Sequence, residues 1–329
     1  MSNYAYDDDG LVERPNPTVE AIIEHLLKGE DASTSETLLY GLSDLSESYI
    51  EEIRPVWQNL EAGYKQLLMQ ILIDEMESHF DLNYDALGLL GIEDTESLVR
   101  RASVEILGES ESLRVMRRLF QLLKLEKVSA VKAETARVLG HFILLDEVGD
   151  IKEGATREIR HFVESLYQDK SQSVDVRARA LEAIANSSES VVEVYIKDSY
   201  RSDDDELKLA SVVAMGRSAD RQQWESIILN ELMYGRGDIQ IEAARATGEL
   251  QIGEAIPHLM KLFEEDDIEA QTIIIWALGE IGNREATRYL ERIAEIAEEN
   301  EDDDMLELVE EALGNASLGS GGRASDVMD

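Results

Sequence analysis

The chain has 329 residues, with 70 Asp or Glu against 31 Lys or Arg and a formal net charge of −39. A chain this acidic is repelled by phosphate backbones and anionic membranes. That disfavours nucleic acid and favours a basic partner, or else serves solubility at high salt. Cysteine is absent, which excludes disulfides, thiolate metal sites and a cysteine nucleophile, while 43% apolar residues suffice for a packed core.

With four prolines and almost no β-branched alternation, the chain reads as all-α. Residues 1–17, starting MSNYAYDDDG, are acidic where a signal peptide is basic and then apolar, and a disordered N-terminus is expected there. TVEAIIEHLLKG (18–29) and SETLLYGLSDL (35–45) predict one helical hairpin, and YIEEIRPVWQNL (49–60) and EAGYKQLLMQILIDEM (61–76) a second. These atypical hairpins cover 18–80, and more regular units run over 81–316. The longest apolar stretches, Leu67–Ile73 and Ile273–Leu278, are too short to span a bilayer, so a soluble, cytoplasmic protein is expected.

From residue 81 onward a box recurs in which a helix runs into glycine: EILGES (Gly108), RVLGHF (Gly140), VAMGRS (Gly216), RATGEL (Gly248), WALGEI (Gly279) and EALGNA (Gly314). Ala185 takes the matching place in a unit between Gly140 and Gly216, and LLDEVGDIKEGAT (144–156) is a loop-like insert. A period near 31 over the whole chain predicts about nine helical hairpins forming one solenoid over 18–316. Asp94, Ser173, Asp203, Asp238, Asp267 and Asp304 stand where second helices need N-caps. Glycine, which alone adopts the left-handed conformation freely, is expected to stop each second helix. Residues 317–329 read as a flexible tail; GSGGRA (319–324) follows a helix rather than a strand, so it lacks the setting of a phosphate loop.

The boxes VRRASVEILGE, IEAARATGEL and TIIIWALGEIGN resemble HEAT repeats of the short phycobilisome-lyase type, over about residues 81–315. LYGLSDLS with RPVWQNL also resembles the front end of bacterial HEAT proteins of unassigned function, notably from Chloroflexota. The resemblance implies a right-handed α-solenoid, a HEAT-like superhelix whose second helices line a concave face. It also implies two functions for weighing: a protein scaffold, or a bilin-lyase-like enzyme subunit or chromophore chaperone.

The residues offer little chemistry. A HEAT-type hydroxylase binds two irons through His-Glu pairs, but His25, His79, His141, His161 and His258 are each followed by Leu or Phe. The acidic triplets Asp7–Asp9, Asp203–Asp205 and Asp302–Asp304 lack the alternation of a calcium loop. No metal, cofactor or catalytic residue is therefore expected. Against the global charge, Arg100, Arg101, Arg114, Arg117, Arg118, Lys124, Lys127, Lys132 and Arg137 form a basic island with five acidic residues among them. HEAT-like DNA glycosylases use a basic concave face, so a nucleic acid or another acidic partner is the alternative to weigh there. Arg100, Lys132, Arg177 and Lys208, at the starts of second helices, are expected instead to pair with the acid of the preceding turn.

Counting each box glycine as zero, position −3 should point away from the packed alanines. That column reads Glu105, Arg137, Glu182, Val213, Arg245, Trp276 and Glu311. Mixed charge with an aromatic member suits a protein-binding groove. The expected function is a non-catalytic scaffold or adaptor that binds a basic protein along this column.

Overall fold

The structure is a computed structural model, and it describes residues 4–7, 10–13, 15–79, 81–264 and 267–321. Strands β1 (Tyr4–Asp7) and β2 (Gly10–Glu13) pair antiparallel, Tyr4 opposite Glu13, where disorder was expected. Everything else regular among the described residues is helical.

The chain divides into two compact units, Met1–Ala180 and Leu181–Asp329. The first holds α1 (Val19–Lys28), α2 (Glu36–Gly41), α3 (Glu47–Asn59), α4 (Ala62–Ser78), α5 (Asp85–Gly91), α6 (Ser97–Ile106), α7 (Leu113–Leu125), α8 (Ser129–Val148) and α9 (Arg157–Gln168). Helix α10 (Val174–Ile184) contains the division. The second unit continues with α11 (Val191–Tyr200), α12 (Asp205–Arg217), α13 (Arg221–Tyr234), α14 (Asp238–Glu249), α15 (Ile256–Phe263), α16 (Ile268–Ile281), α17 (Arg284–Asn300) and α18 (Asp303–Gly321). Odd helices are the first and even helices the second members of hairpins.

Within each unit like packs on like. In the first, α4 packs on α6 and α6 on α8, with α3 on α5 and α5 on α7 beside them; in the second, α12, α14, α16 and α18 follow one another. This is HEAT-like solenoid packing. It buries one stripe per helix: Ile22, Leu26, Ile53, Trp57, Leu68 and Leu72 early in the chain, and Ala243, Ala244, Ile274, Ala277 and Leu278 late in it.

Helix α16 shows how local sequence produces the unit. Asp267 Oδ1 accepts the Ala270 N–H at 3.1 Å and caps its start, and Gly282, at φ 56°, ends it in the left-handed conformation. Other starts shift by a residue or two from the expected caps. Asp204, not Asp203, accepts from Glu206 and Leu207 N–H; Asp302, not Asp304, accepts from Met305 N–H; and Asp238 is already helical behind Gly237.

The box glycines do not stop their helices. Gly140, Gly216, Gly248, Gly279 and Gly314 lie inside α8, α12, α14, α16 and α18, and α6 ends at Ile106, before Gly108. At Gly216, Gly248 and Gly279 the role is close approach. A Cβ on Gly248 would stand 2.8 Å from Ala277 Cα, one on Gly279 3.0 Å from the Ala312 carbonyl oxygen, and one on Gly216 1.8 Å from Glu249 Oε2. Backbone or side chain of the next second helix fills each space.

The insert at 144–156 begins as helix, since α8 continues to Val148. The rest closes on Asp146, whose carboxylate accepts Gly154 N–H at 2.8 Å, Thr156 N–H at 2.9 Å and Thr156 O–H at 2.5 Å. The tail expected from 317 on begins as helix, because α18 reaches Gly321; residues 322–329 lie outside the described residues.

Candidate functional site

Near the start of several second helices a long polar side chain reaches into its own hairpin, toward the next hairpin or, in Arg100, both ways. Within its own hairpin it donates to carbonyls at the end of the first helix or in the turn. Arg100 donates to Asp94 O and Thr95 O at 2.9 and 3.0 Å, Arg177 to Tyr167 O at 3.0 Å, Gln240 to Leu232 O at 2.9 Å and Gln271 to Phe263 O at 3.2 Å. The last carbonyls of a helix have no acceptor role left within the helix itself. Toward the next hairpin it meets a carboxylate: Lys65 with Asp94 (2.8 Å), Arg100 with Glu126 (2.8 Å) and Lys208 with Glu231 (3.3 Å). The ionic ladder thus runs forward to the following turn or first helix, not to the preceding acid, because stacking brings that following carboxylate alongside.

Among the described residues, pairing with carboxylates also takes up four of the nine cations of the basic island, Arg100 among them. Arg114 meets Glu47 at 2.7 Å, Arg118 meets Glu93, Arg137 meets Glu134 at 2.6 Å, and Lys124 lies 4.0 Å from the centre of the Phe120 ring. Glu93, held by Arg118 and by Arg54 at 2.9 Å, has its pKa below the ordinary value; burial raises it, but the two guanidiniums outweigh that. The paired cations present less free positive charge to a phosphate backbone than the sequence count suggests.

The −3 column sorts into groups. In the first unit, Glu105 on α6 and Arg137 on α8 are half-buried and line one cleft of about 870 Å³. Its floor is apolar (Ile73, Met76, Leu82, Ile106), and Asp85, Glu105, Glu109 and Glu111 place carboxyl groups along it. Asp85 Oδ2 accepts the Ser110 hydroxyl at 2.7 Å, and burial, with Asp44 nearby, raises its pKa. Arg137, the one cation among the described lining residues, already donates to Glu134.

In the second unit, Arg245 lies over the Trp276 ring, with the guanidinium carbon 6.0 Å from the ring centre. The indole also covers Gly248, where a Cβ would come within 2.9 Å of Cζ3. Trp276 is therefore folded onto the preceding repeat and remains half-exposed. Val213 is half-exposed and Glu311 exposed. Glu182 departs from the outward expectation, being 2% exposed. Arg217 of α12 covers it, with Nη1 3.4 Å from the Glu182 carbonyl oxygen and 3.9 Å from its Oε2.

The −3 count passed over Arg217, Glu242 and Glu249, which face the same second-helix surface. Glu242 pairs with Arg245 at 3.3 Å. Glu249, packed over Gly216, has its carboxyl pKa raised, first by burial; Glu242 adds to the shift and Arg217 opposes it. Position +1 after a box glycine was the missed signal for two of them: Glu249 leans back over Gly216, and Arg217 over Glu182.

Residues 227–314 match the family model of HEAT repeats. Among solved structures, the X-ray structure of YibA from Escherichia coli aligns at a TM-score of 0.42 and 15% identity, over 86% of this chain and 97% of that one. A search of curated proteins gave no significant sequence match. The chain is a helical-hairpin repeat protein that carries HEAT repeats over residues 227–314.

Proposed function

We propose that the protein is a non-catalytic scaffold whose second-helix surface holds a basic segment of another protein. In this reading the repeats are of the short, phycobilisome-lyase-like type, and the setting is the cytoplasm. HEAT repeats are generally protein-interaction scaffolds. The observation that carries the basic partner is the cleft of the first unit, which joins an apolar floor to four carboxyl groups and a single, already engaged arginine. Lysine and arginine side chains need this pairing, an apolar wall for the stem and an anion for the head. The net charge of −39 steers the same class of partner. In the second unit, the half-exposed Trp276 backed by Arg245 is an anchor of the type that dominates interface energies, with Val213 and Glu311 on neighbouring helices.

The test starts from affinity purification in the native cell, followed by titration of the recovered partner. E105Q/E109Q/E111Q is expected to weaken binding at least tenfold and flatten its salt dependence, and W276A is expected to weaken it independently. Unchanged affinity in both variants would remove the second-helix surface from consideration.

A further inference from the structure

Helix α17 carries Arg284, Arg288 and Arg292 at i, i+4 and i+8, so they stand on successive turns of one face. All three are exposed. The face they share is opposite the buried stripe of Ala286, Leu290, Ile293 and Ala297, which packs toward α16 and α18. With Glu285 and the half-buried Tyr289 they line a shallow hollow of about 610 Å³ made by α17 alone.

None of the three arginines has a carboxylate within 4.0 Å among the described residues, although Glu285, Glu291 and Glu295 lie on the same helix. The contrast with α7 is direct: there Arg114 and Arg118, also one turn apart, each hold a carboxylate from another helix or turn.

Helix stability does not account for the stripe. Arg284 is the first residue of α17, where the helix dipole favours negative charge. Like charges at i and i+4 repel, and here two such pairs follow one another. In a chain with more than twice as many acidic as basic residues, three unengaged arginines in register are costly to folding and useful to recognition.

We propose that the outer face of α17 is a docking site for an acidic helical segment of a protein partner, with carboxylates at i, i+4 and i+8 facing Arg284, Arg288 and Arg292. Two helices side by side repeat their charges every turn, so three charge-assisted, fork-like contacts form in register. The flanking glutamates confine the positive surface to a single stripe, which suits a narrow ligand. A nucleic acid extends its charge far beyond the stripe and meets the repulsion of the acidic surface, whereas a short acidic helix carries only a few charges. This site is separate from the second-helix surface and of opposite sign, so each stands or falls without the other.

The test is fluorescence anisotropy on the full chain at 20 mM salt. The probe is a labelled alanine-rich helical peptide with Glu at i, i+4 and i+8, alongside its Gln twin. The Glu peptide is expected to bind, the Gln twin to bind at least tenfold more weakly, and binding to fade by 300 mM salt. R284Q/R288Q/R292Q should lose binding at least tenfold with an unchanged circular dichroism spectrum, while R101Q/R117Q should bind as the parent does. Absence of Glu-peptide binding, or equal binding by the triple variant, overturns the proposal. So does a single-stranded oligonucleotide that binds more tightly with the same arginine dependence, because it reassigns the stripe to phosphate.

Discussion

The Trp276 indole lies over Gly248 so closely that a β-carbon there would come within 2.9 Å of its Cζ3, while Ala277 Cα approaches the same point at 2.8 Å. One missing side chain therefore sets both the spacing of α14 and α16 and the pose of Trp276.

Gly248→Ala is expected to destabilise the protein by about 1–2 kcal/mol, because overpacking costs roughly 1–3 kcal/mol and the better helix propensity of alanine returns only part of it. Gly314→Ala is the control. A Cβ there meets nothing within 4 Å, so it should stabilise by about 0.5–1 kcal/mol through propensity alone. Urea unfolding of the two variants should give opposite signs. Equal effects would mean that the box glycines do not act through helix approach.

Trp57 and Trp224 are each 1% exposed, whereas Trp276 is half-exposed. Acrylamide should therefore quench one class of tryptophan, and Trp276→Phe should remove that class with little change in the far-ultraviolet spectrum. Quenching that persists in the variant would place the accessible indole elsewhere.

Lys65 Nζ and Asp94 Oδ2 are 2.8 Å apart, with side chains 6% and 4% exposed. Burial pushes the Asp94 carboxyl up, but the Glu96 N–H and Lys65 hold it below its ordinary value. Lys65→Met strands that carboxylate, and a loss of about 3–5 kcal/mol is expected. The double variant K65M/D94N should recover part of it. Thermal denaturation of the four proteins of the cycle measures the coupling.

Asp146 ties the insert to α8. Burial would raise its pKa, yet the Thr156 and Gly154 donors and the charge of Arg160, 3.4 Å away, outweigh that and lower it. A carboxylate lowered in the folded state contributes its full stability above the unfolded value of about 3.9 and loses it as pH falls through the folded value. Asp146→Asn should therefore cost about 1–3 kcal/mol at pH 7, and much less at pH 3. A gap between variant and parent that is constant across that range would contradict the assignment.

Much of the fold was legible in local sequence. Apolar spacing located both N-terminal hairpins to within a few residues, although neither contains a glycine box, because a helix declares its buried stripe every three or four residues. The column at −3 was partly legible for the same reason: it brought Glu105 and Arg137 to one cleft and Arg245 to Trp276. It failed at Glu182, whose cover, Arg217, is 35 residues away.

The amino-acid sequence by itself determined the helices, their pairing into hairpins and the acidity of the chain. Only the tertiary structure decided what the glycines and the cations do. A glycine inside a helix and one ending it look alike until the neighbouring helix is in place, and Gly248 proved to be a point of contact where a stop was expected. The 100–137 segment has the denser positive charge in sequence, yet Arg114 and Arg118 hold carboxylates 67 and 25 residues away. Helix α17 has more acids than arginines in sequence, yet its three arginines stand without a carboxylate partner among the described residues. Net charge is a sum along the chain, whereas a binding surface depends on which charges remain after folding has paired the rest.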